Sequence, residues 1–129
     1  MSRAWLIGAL ALSAMVGALA QERPALARRW QAPRTAADRR TPLPDEPAIL
    51  AGGRKLFQER CASCHADDGR GGTRGVDLTD ARTRTQTDGE LFWKVTSGSA
   101  RRGMPSFSFL SEAQRWQLVI AIRHLEPSH

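Results

Sequence analysis

The sequence predicts an all-α domain with three main helices. Two stretches, Thr87–Glu90 and Ser111–Gln114, have the capping-box pattern that begins a helix, and apolar residues at helical spacing follow each one. No stretch alternates apolar and polar residues as a half-buried strand does. Both capping boxes lie in the second half of the chain, and the remaining predicted helix lies before them.

The first twenty residues have the pattern of a secretory signal peptide. One positive charge, Arg3, precedes seventeen uncharged and mostly apolar residues that end in Ala18-Leu19-Ala20. This pattern predicts cleavage of residues 1–20 before Gln21, with Ala25-Leu26-Ala27 as a second, weaker site. An uncleaved membrane anchor is the alternative, because seventeen residues are near the shortest length that spans a bilayer. In both cases the sequence predicts a periplasmic or exported domain, soluble or tethered to the outer face of the inner membrane.

Residues 21–47 are predicted to form a flexible linker. They contain five of the seven prolines and six arginines, and their apolar residues follow no regular period. Such a composition cannot bury enough apolar surface to offset the entropy lost on ordering. The arginines could also contact an anionic membrane surface, but four acidic residues dilute their charge.

The first helix is predicted from Asp45 to Arg60, with Asp45 near its N-cap and Leu56 and Phe57 on its apolar face. The domain that follows the linker, residues 48–129, has only 82 residues. Chains of that length form marginal cores and often need a further stabilising element. A bound ligand with a large apolar surface would supply one.

The only two cysteines follow this helix directly, in the sequence Cys61-Ala62-Ser63-Cys64-His65. Cys-x-x-Cys-His is the attachment pattern of a c-type haem. Residues three apart on a helical turn share one face, so both thiols can reach the vinyl groups along one porphyrin edge. The imidazole of His65 then lies below the ring, where it can ligate iron. The pattern predicts one haem c per chain, attached through Cys61 and Cys64, with His65 as an axial ligand.

Three other interpretations of this motif remain open. A thioredoxin-like redox pair needs a βαβ context, and no alternating runs flank the cysteines. A structural zinc site needs four ligands, and only His124 and His129 are left to complete one. A disulfide between Cys61 and Cys64 accounts for the thiols but gives His65 no role.

Met104 is the candidate sixth ligand of the iron. It is the only methionine after residue 20, and it lies in a loop, Gly103-Met104-Pro105, between the second and third helices. A lone methionine is often core filler, but a loop beside glycine and proline favours presentation of the sulfur. Opposite His65 it would make the iron six-coordinate and raise its reduction potential. His124, on the third helix, is the competing ligand, although its place near the C-terminal end favours a solvent-facing cation.

Two patterns invite a nucleotide or nucleic-acid interpretation. The glycine-rich run Gly69–Gly75 lacks the dinucleotide spacing and the Walker lysine, so we interpret it as a flexible loop over one haem edge. The formal net charge of +6 has no accompanying nucleic-acid motif, so no nucleic-acid partner is predicted. The expected partners are a redox protein donor and acceptor with anionic docking surfaces.

Taken together, residues 53–125 resemble the small monohaem class I cytochromes c of bacteria. The resemblance is carried by the haem motif and by Gly53-Arg54-Lys55-Leu56-Phe57, Gly75-Val76-Asp77-Leu78-Thr79, Asp88–Lys94, Gly103-Met104-Pro105 and Leu118–Arg123. It implies the class I cytochrome c fold, in which three main helices pack around a covalently bound haem.

Two residues depart from the family pattern. The family often has proline where Val76 stands, near the backbone carbonyl that accepts the ring N–H of the proximal histidine; valine keeps that carbonyl. The terminal helix usually carries an aromatic residue where Ala121 stands, packed against the first helix near Gly53. We therefore expect a looser crossing of these helices unless Trp116 compensates.

The resemblance implies an electron carrier that cycles iron between Fe(II) and Fe(III) and has no catalytic residues of its own. One alternative is a haem enzyme or gas sensor with a displaceable Met104. Another is an electron-transfer subunit of a dehydrogenase or oxidase complex. Trp93 and Arg82 are candidate neighbours of the haem propionates, and ordinary core packing is the alternative for Trp93.

Overall fold

The computed structural model describes residues 30–72 and 74–127. The predicted signal peptide and the first part of the predicted linker lie outside the described residues. The chain divides between Gln31 and Ala32, and the described residues of the second unit, from Ala32 onward, are compact. Among residues 30–72 and 74–127, none of the helices combines the length and the hydropathy of a membrane-spanning segment.

The second unit is helical, and its described residues contain no strand, which confirms the predicted all-α fold class. Ser99 and Met104 form an isolated antiparallel bridge. The helices are α1 (Arg34–Ala37), α2 (Pro47–Arg60), α3 (Ala62–His65), α4 (Ala81–Arg84), α5 (Asp88–Ser97), a 3-10 helix (Ala100–Arg102) and α6 (Glu112–Arg123).

Helix α2 begins two residues later than the sequence analysis predicted. Its N-cap is Glu46, whose side chain caps no backbone N–H, and Pro47 occupies the first helical position. Proline suits that position because its fixed φ is already helical and the missing N–H would have no helical partner. Asp45 lies before the helix, with its carboxylate 3.6 Å from Nε2 of His124.

Both predicted capping boxes are present. At the start of α5, Thr87 Oγ1 accepts the Glu90 backbone N–H at 3.1 Å, and the Glu90 carboxylate accepts the Thr87 N–H at 2.6 Å. Ser111 and Gln114 form the same reciprocal pair at the start of α6, at 3.1 and 2.9 Å. Each box satisfies two backbone donors that a helix start would otherwise leave unpaired.

Helices α2 and α6 cross at Gly53 and Ala121. A Cβ on Gly53 would overlap the Gln117 carbonyl oxygen and lie 3.2 Å from the Ala121 Cβ. The crossing is therefore close, which corrects the looser crossing expected from the missing aromatic residue. The physical reason is that two small residues let the helix backbones approach each other.

The core lies around Trp116, which is fully buried and stacks on Phe92 with ring centroids 4.1 Å apart. The core cluster comprises the buried residues Phe57, Leu91, Phe92, Val95, Phe107, Leu110, Trp116, Leu118, Val119 and Ile122. Partly buried residues pack against its edge: Leu43, Leu56, Cys61, Ala62, Leu78, Met104 and Leu125. The polypeptide alone therefore leaves the apolar surface around Cys61 and Met104 only partly covered.

The structure differs from the predicted linker in the C-terminal half of that segment. Helix α1 lies against α5, where Thr87 Oγ1 donates a hydrogen bond of 2.7 Å to the Ala37 carbonyl. Gly89 permits this approach, because a Cβ there would overlap the Ala36 carbonyl oxygen and lie 2.8 Å from that of Arg39. The contact is made through backbone carbonyls. The spacing of apolar residues in the sequence therefore could not predict it.

Arg39 fastens this segment to the core. Its guanidinium Cζ lies 4.6 Å from the Phe92 ring centroid and 5.3 Å from that of Trp116. The same guanidinium pairs with the Glu112 carboxylate, and this hydrogen bond, with a further one from Trp116, lowers the pKa of Glu112. Through the stacking and the ion pair, Arg39 packs as part of the folded domain and not as part of a flexible linker.

Candidate haem-binding site

The haem motif forms a single helical turn that continues from α2. Cys61 ends α2, where its N–H donates to the Phe57 carbonyl at 2.8 Å, and its own carbonyl accepts the His65 N–H at 2.9 Å. Cys61 and Cys64 are three residues apart on this turn, which is the spacing that two thioether bonds to one porphyrin edge require. The helix therefore presents the two sulfurs and the histidine as one unit.

Both thiols are free and partly buried, so they do not form the disulfide that the sequence left open. Burial, with a smaller contribution from Cys64, raises the pKa of Cys61 to about 11. The Cys61 thiol is therefore uncharged at neutral pH, and it packs against the apolar core cluster. This environment suits a sulfur that becomes part of an apolar thioether.

His65 is oriented by a backbone carbonyl. Its Nδ1 lies 2.8 Å from the Val76 carbonyl oxygen. Because a carbonyl only accepts, Nδ1 carries the proton and Nε2 has the free lone pair that a metal ligand needs. Val76 is thus the acceptor that the sequence could not assign, and its substitution for the family's usual proline preserves the bond.

The glycine-rich loop packs against the haem motif. The Gly71 N–H donates to the His65 carbonyl at 2.8 Å, and the Leu78 N–H donates to the Gly69 carbonyl at 2.7 Å. Gly69 has a φ of +74°, and a Cβ there would lie 3.1 Å from Cδ2 of Leu125. The run of glycines is therefore explained by close packing on the motif and on Leu125, two residues after the end of α6.

Met104 lies in a tight loop between α5 and α6. The Ser99 N–H donates to the Met104 carbonyl at 2.8 Å, and the Met104 N–H donates back to Ser99 at 3.1 Å. Gly103 reverses the chain with a φ of +73°. Met104 is partly buried against the core cluster, as Cys61 is, so the structure brings both to the edge of one apolar body.

His124 uses both ring nitrogens away from the haem motif. Nδ1 lies 2.9 Å from the Ile120 carbonyl oxygen of its own helix, and Nε2 lies 3.6 Å from the Asp45 carboxylate. The residue is exposed and caps the C-terminal end of α6. The contacts of His124 therefore favour Met104 over it as the second axial ligand.

The two candidate propionate neighbours differ. The Arg82 side chain is 93% exposed and pairs with Asp80 at 3.3 Å, so it packs against no part of the core. Trp93 is partly buried on α5. Among residues 30–72 and 74–127, no three His, Cys, Asp or Glu side chains cluster closely enough to hold a metal ion, so a zinc site of the kind considered above has no counterpart there.

The donor set and its surroundings fit a haem c. Cys61 and Cys64 are free thiols at the required spacing, and His65 offers Nε2 as a ligand. A porphyrin would cover the half-buried apolar residues beside them. Sequence reasoning left the acceptor of the His65 ring N–H unassigned and missed the close approach of Gly75, where a Cβ would overlap the Cys64 carbonyl oxygen. The glycine run was the signal for the close approach, and the place of Val76 in the family pattern was the signal for the acceptor.

Comparison with known proteins agrees with this site. The family model described as cytochrome c oxidase, cbb3-type, subunit III matches residues 48–120, which is more than half of the chain and includes Cys61, Cys64, His65 and Met104. No curated protein matches the chain. The chain therefore belongs to the cytochrome c oxidase, cbb3-type, subunit III family and contains a c-type cytochrome domain.

Proposed function

We propose that this chain is an exported, small monohaem cytochrome c of class I that transfers single electrons between redox proteins. The hydrogen bond from His65 Nδ1 to the Val76 carbonyl is the observation that carries the proposal. It leaves Nε2 as the metal-binding nitrogen on a turn that also bears two free thiols. Cys61 and Cys64 would hold the haem covalently, and His65 and Met104 would hold its iron.

When bound, haem c supplies an iron that alternates between Fe(II) and Fe(III). The protein would keep both iron ligands fixed, so that the coordination of the iron changes little when the electron is transferred. His65 is held by Val76, and Met104 by its paired hydrogen bonds with Ser99.

The chain that follows Met104 is anchored as well, which disfavours a displaceable ligand. Ser106 Oγ donates to the Thr96 carbonyl at 2.7 Å, and the Phe107 N–H donates to the Val95 carbonyl at 3.1 Å. These bonds fix the loop to the last turn of α5. A firmly held sixth ligand supports electron transfer over the haem-enzyme or gas-sensor alternative, in which an open position is needed.

The family description favours one further function, that of an electron-transfer subunit in an oxidase complex. The partners would then be a donor and an acceptor with anionic docking surfaces. Arg101 and Arg102 are exposed beside Met104, and no acidic residue occurs from Gly98 to Ser111. This local positive charge supports a negatively charged partner surface, since complementary charge steers association.

Replacing Met104 with alanine tests the proposal. The variant should bind carbon monoxide in its reduced state, because the change opens one axial position. Its reduction potential should fall, since axial ligands set haem potentials over a range of about 0.8 V. His124→Ala is the matched control and should leave the absorption spectrum, gas binding and potential unchanged. A spectrum unaffected by Met104→Ala would mean that another residue is the sixth ligand.

A further inference from the structure

We propose that Gly75 is a positioning residue that sets the hydrogen bond between His65 and Val76 and thereby the reduction potential. The inference rests on the proposed function, because it takes His65 as an iron ligand. It concerns a residue that has no side chain and acts through the backbone of its neighbour.

The backbone at Gly75 is pressed against the haem motif. A Cβ on Gly75 would overlap the Cys64 carbonyl oxygen, lie 2.6 Å from the Cys64 carbonyl carbon and 2.9 Å from the His65 backbone nitrogen. All three atoms belong to the backbone, which cannot swing aside as a flexible side chain can. Only glycine therefore lets residue 76 come close enough for its carbonyl to reach Nδ1 at 2.8 Å.

Hydrogen bonds also hold the loop on the N-terminal side of Gly75 close to the haem motif. The Gly71 N–H donates to the His65 carbonyl at 2.8 Å, and the Gly72 N–H donates to the Gly75 carbonyl at 3.2 Å. The first bond ties the loop to the motif and the second ties Gly75 to the rest of the loop, so an added methyl group at position 75 cannot be accommodated by sliding the loop along the motif. The loop must move away instead.

The backbone that follows Val76 is held by two further hydrogen bonds. Asp77 Oδ1 accepts hydrogen bonds from the Thr79 N–H at 2.7 Å and from Thr79 Oγ1 at 2.6 Å, and these bonds lower the pKa of Asp77. Thr79 is buried, whereas the Val76 side chain is 67% exposed. The position of the Val76 carbonyl is therefore set by the residues on either side of it and not by packing of its own side chain.

The strength of this hydrogen bond affects the iron. A carbonyl that accepts the Nδ1 proton makes the imidazole a more basic ligand. A more basic ligand stabilises Fe(III) relative to Fe(II) and so lowers the reduction potential. Moving the carbonyl away should weaken the bond and raise the potential.

Gly75→Ala in the haem-bound protein tests the inference. We expect the equilibrium constant for reduction to rise on the order of tenfold, which is about 59 mV for one electron. The His–Met absorption spectrum should be retained, and NMR should show faster solvent exchange of the His65 Nδ1 proton. Gly52→Ala is the matched control: its Cβ would meet the Gln117 side chain and no part of the motif, so potential and exchange should stay unchanged.

Asp77→Ala provides a second route that removes atoms rather than adding them. It should raise the potential in the same direction but by less, and it decides the matter if Gly75→Ala yields no folded protein. Unchanged potentials in folded variants, with a His–Met spectrum in the unmodified protein, would overturn the positioning role alone. An unmodified protein without that spectrum would contradict the proposed function and this inference together.

Discussion

Replacing both Cys61 and Cys64 with serine is expected to leave the chain unfolded or degraded. The change would remove both proposed thioether bonds and with them the haem that would cover the edge of the core cluster. In the polypeptide alone, Leu56, Leu78 and Met104 are only partly buried there. A domain of this size buries a small share of its surface, and losing a large apolar ligand should exceed its narrow margin of stability.

Far-ultraviolet circular dichroism of the purified variant measures the outcome. Ser63→Ala is the matched control, because it alters an exposed residue of the same turn and keeps both thiols. It should retain haem and helix content. A cooperative thermal transition in the haem-free double variant, with helix content intact, would show that the polypeptide folds by itself.

Gly53→Ala should strongly destabilise the crossing of α2 and α6. The added Cβ would overlap the Gln117 carbonyl oxygen and lie 2.9 Å from the carbonyl carbon, so the helices must separate. Overpacking of this kind costs about 1 to 3 kcal/mol and occasionally more. Since α2 leads directly into the haem motif, we also expect a lower yield of haem-bound protein.

The neighbouring Gly52→Ala is the control, and its effect should differ in sign or size. Its Cβ would meet only the end of the Gln117 side chain, at 2.8 Å from Nε2, which can rotate away. Alanine is better than glycine inside a helix by roughly 0.5 to 1 kcal/mol. Denaturant unfolding of both haem-bound variants compares them. Equal losses of unfolding free energy would mean that the crossing is not as close as described.

The parts of the site that the sequence predicted are those encoded in short, local patterns. The spacing from Cys61 to His65 indicates haem attachment whatever the fold of the rest of the chain. The two capping boxes indicate helix starts through residues that are three apart. The loop position of Met104 follows from the glycine and proline beside it.

The parts that the sequence did not predict depend on backbone contacts between distant residues. The acceptor for His65 is the carbonyl of Val76, and a carbonyl is present whatever residue stands there. Helix α1 packs on α5 through backbone carbonyls that lie against Gly89. The spacing of apolar residues in the sequence does not predict such a contact. The close approach at Gly53 likewise became visible only with both helices in place.

The proposed function requires that His65 and Met104 both bind the iron and leave no open position. Absorption spectroscopy of the unmodified, reduced protein under carbon monoxide at neutral pH tests it most directly. We expect a spectrum that carbon monoxide does not change, because Met104 would occupy the sixth position and its loop is held on both sides. Rapid formation of a carbon monoxide adduct would contradict the account and would favour a haem enzyme or gas sensor.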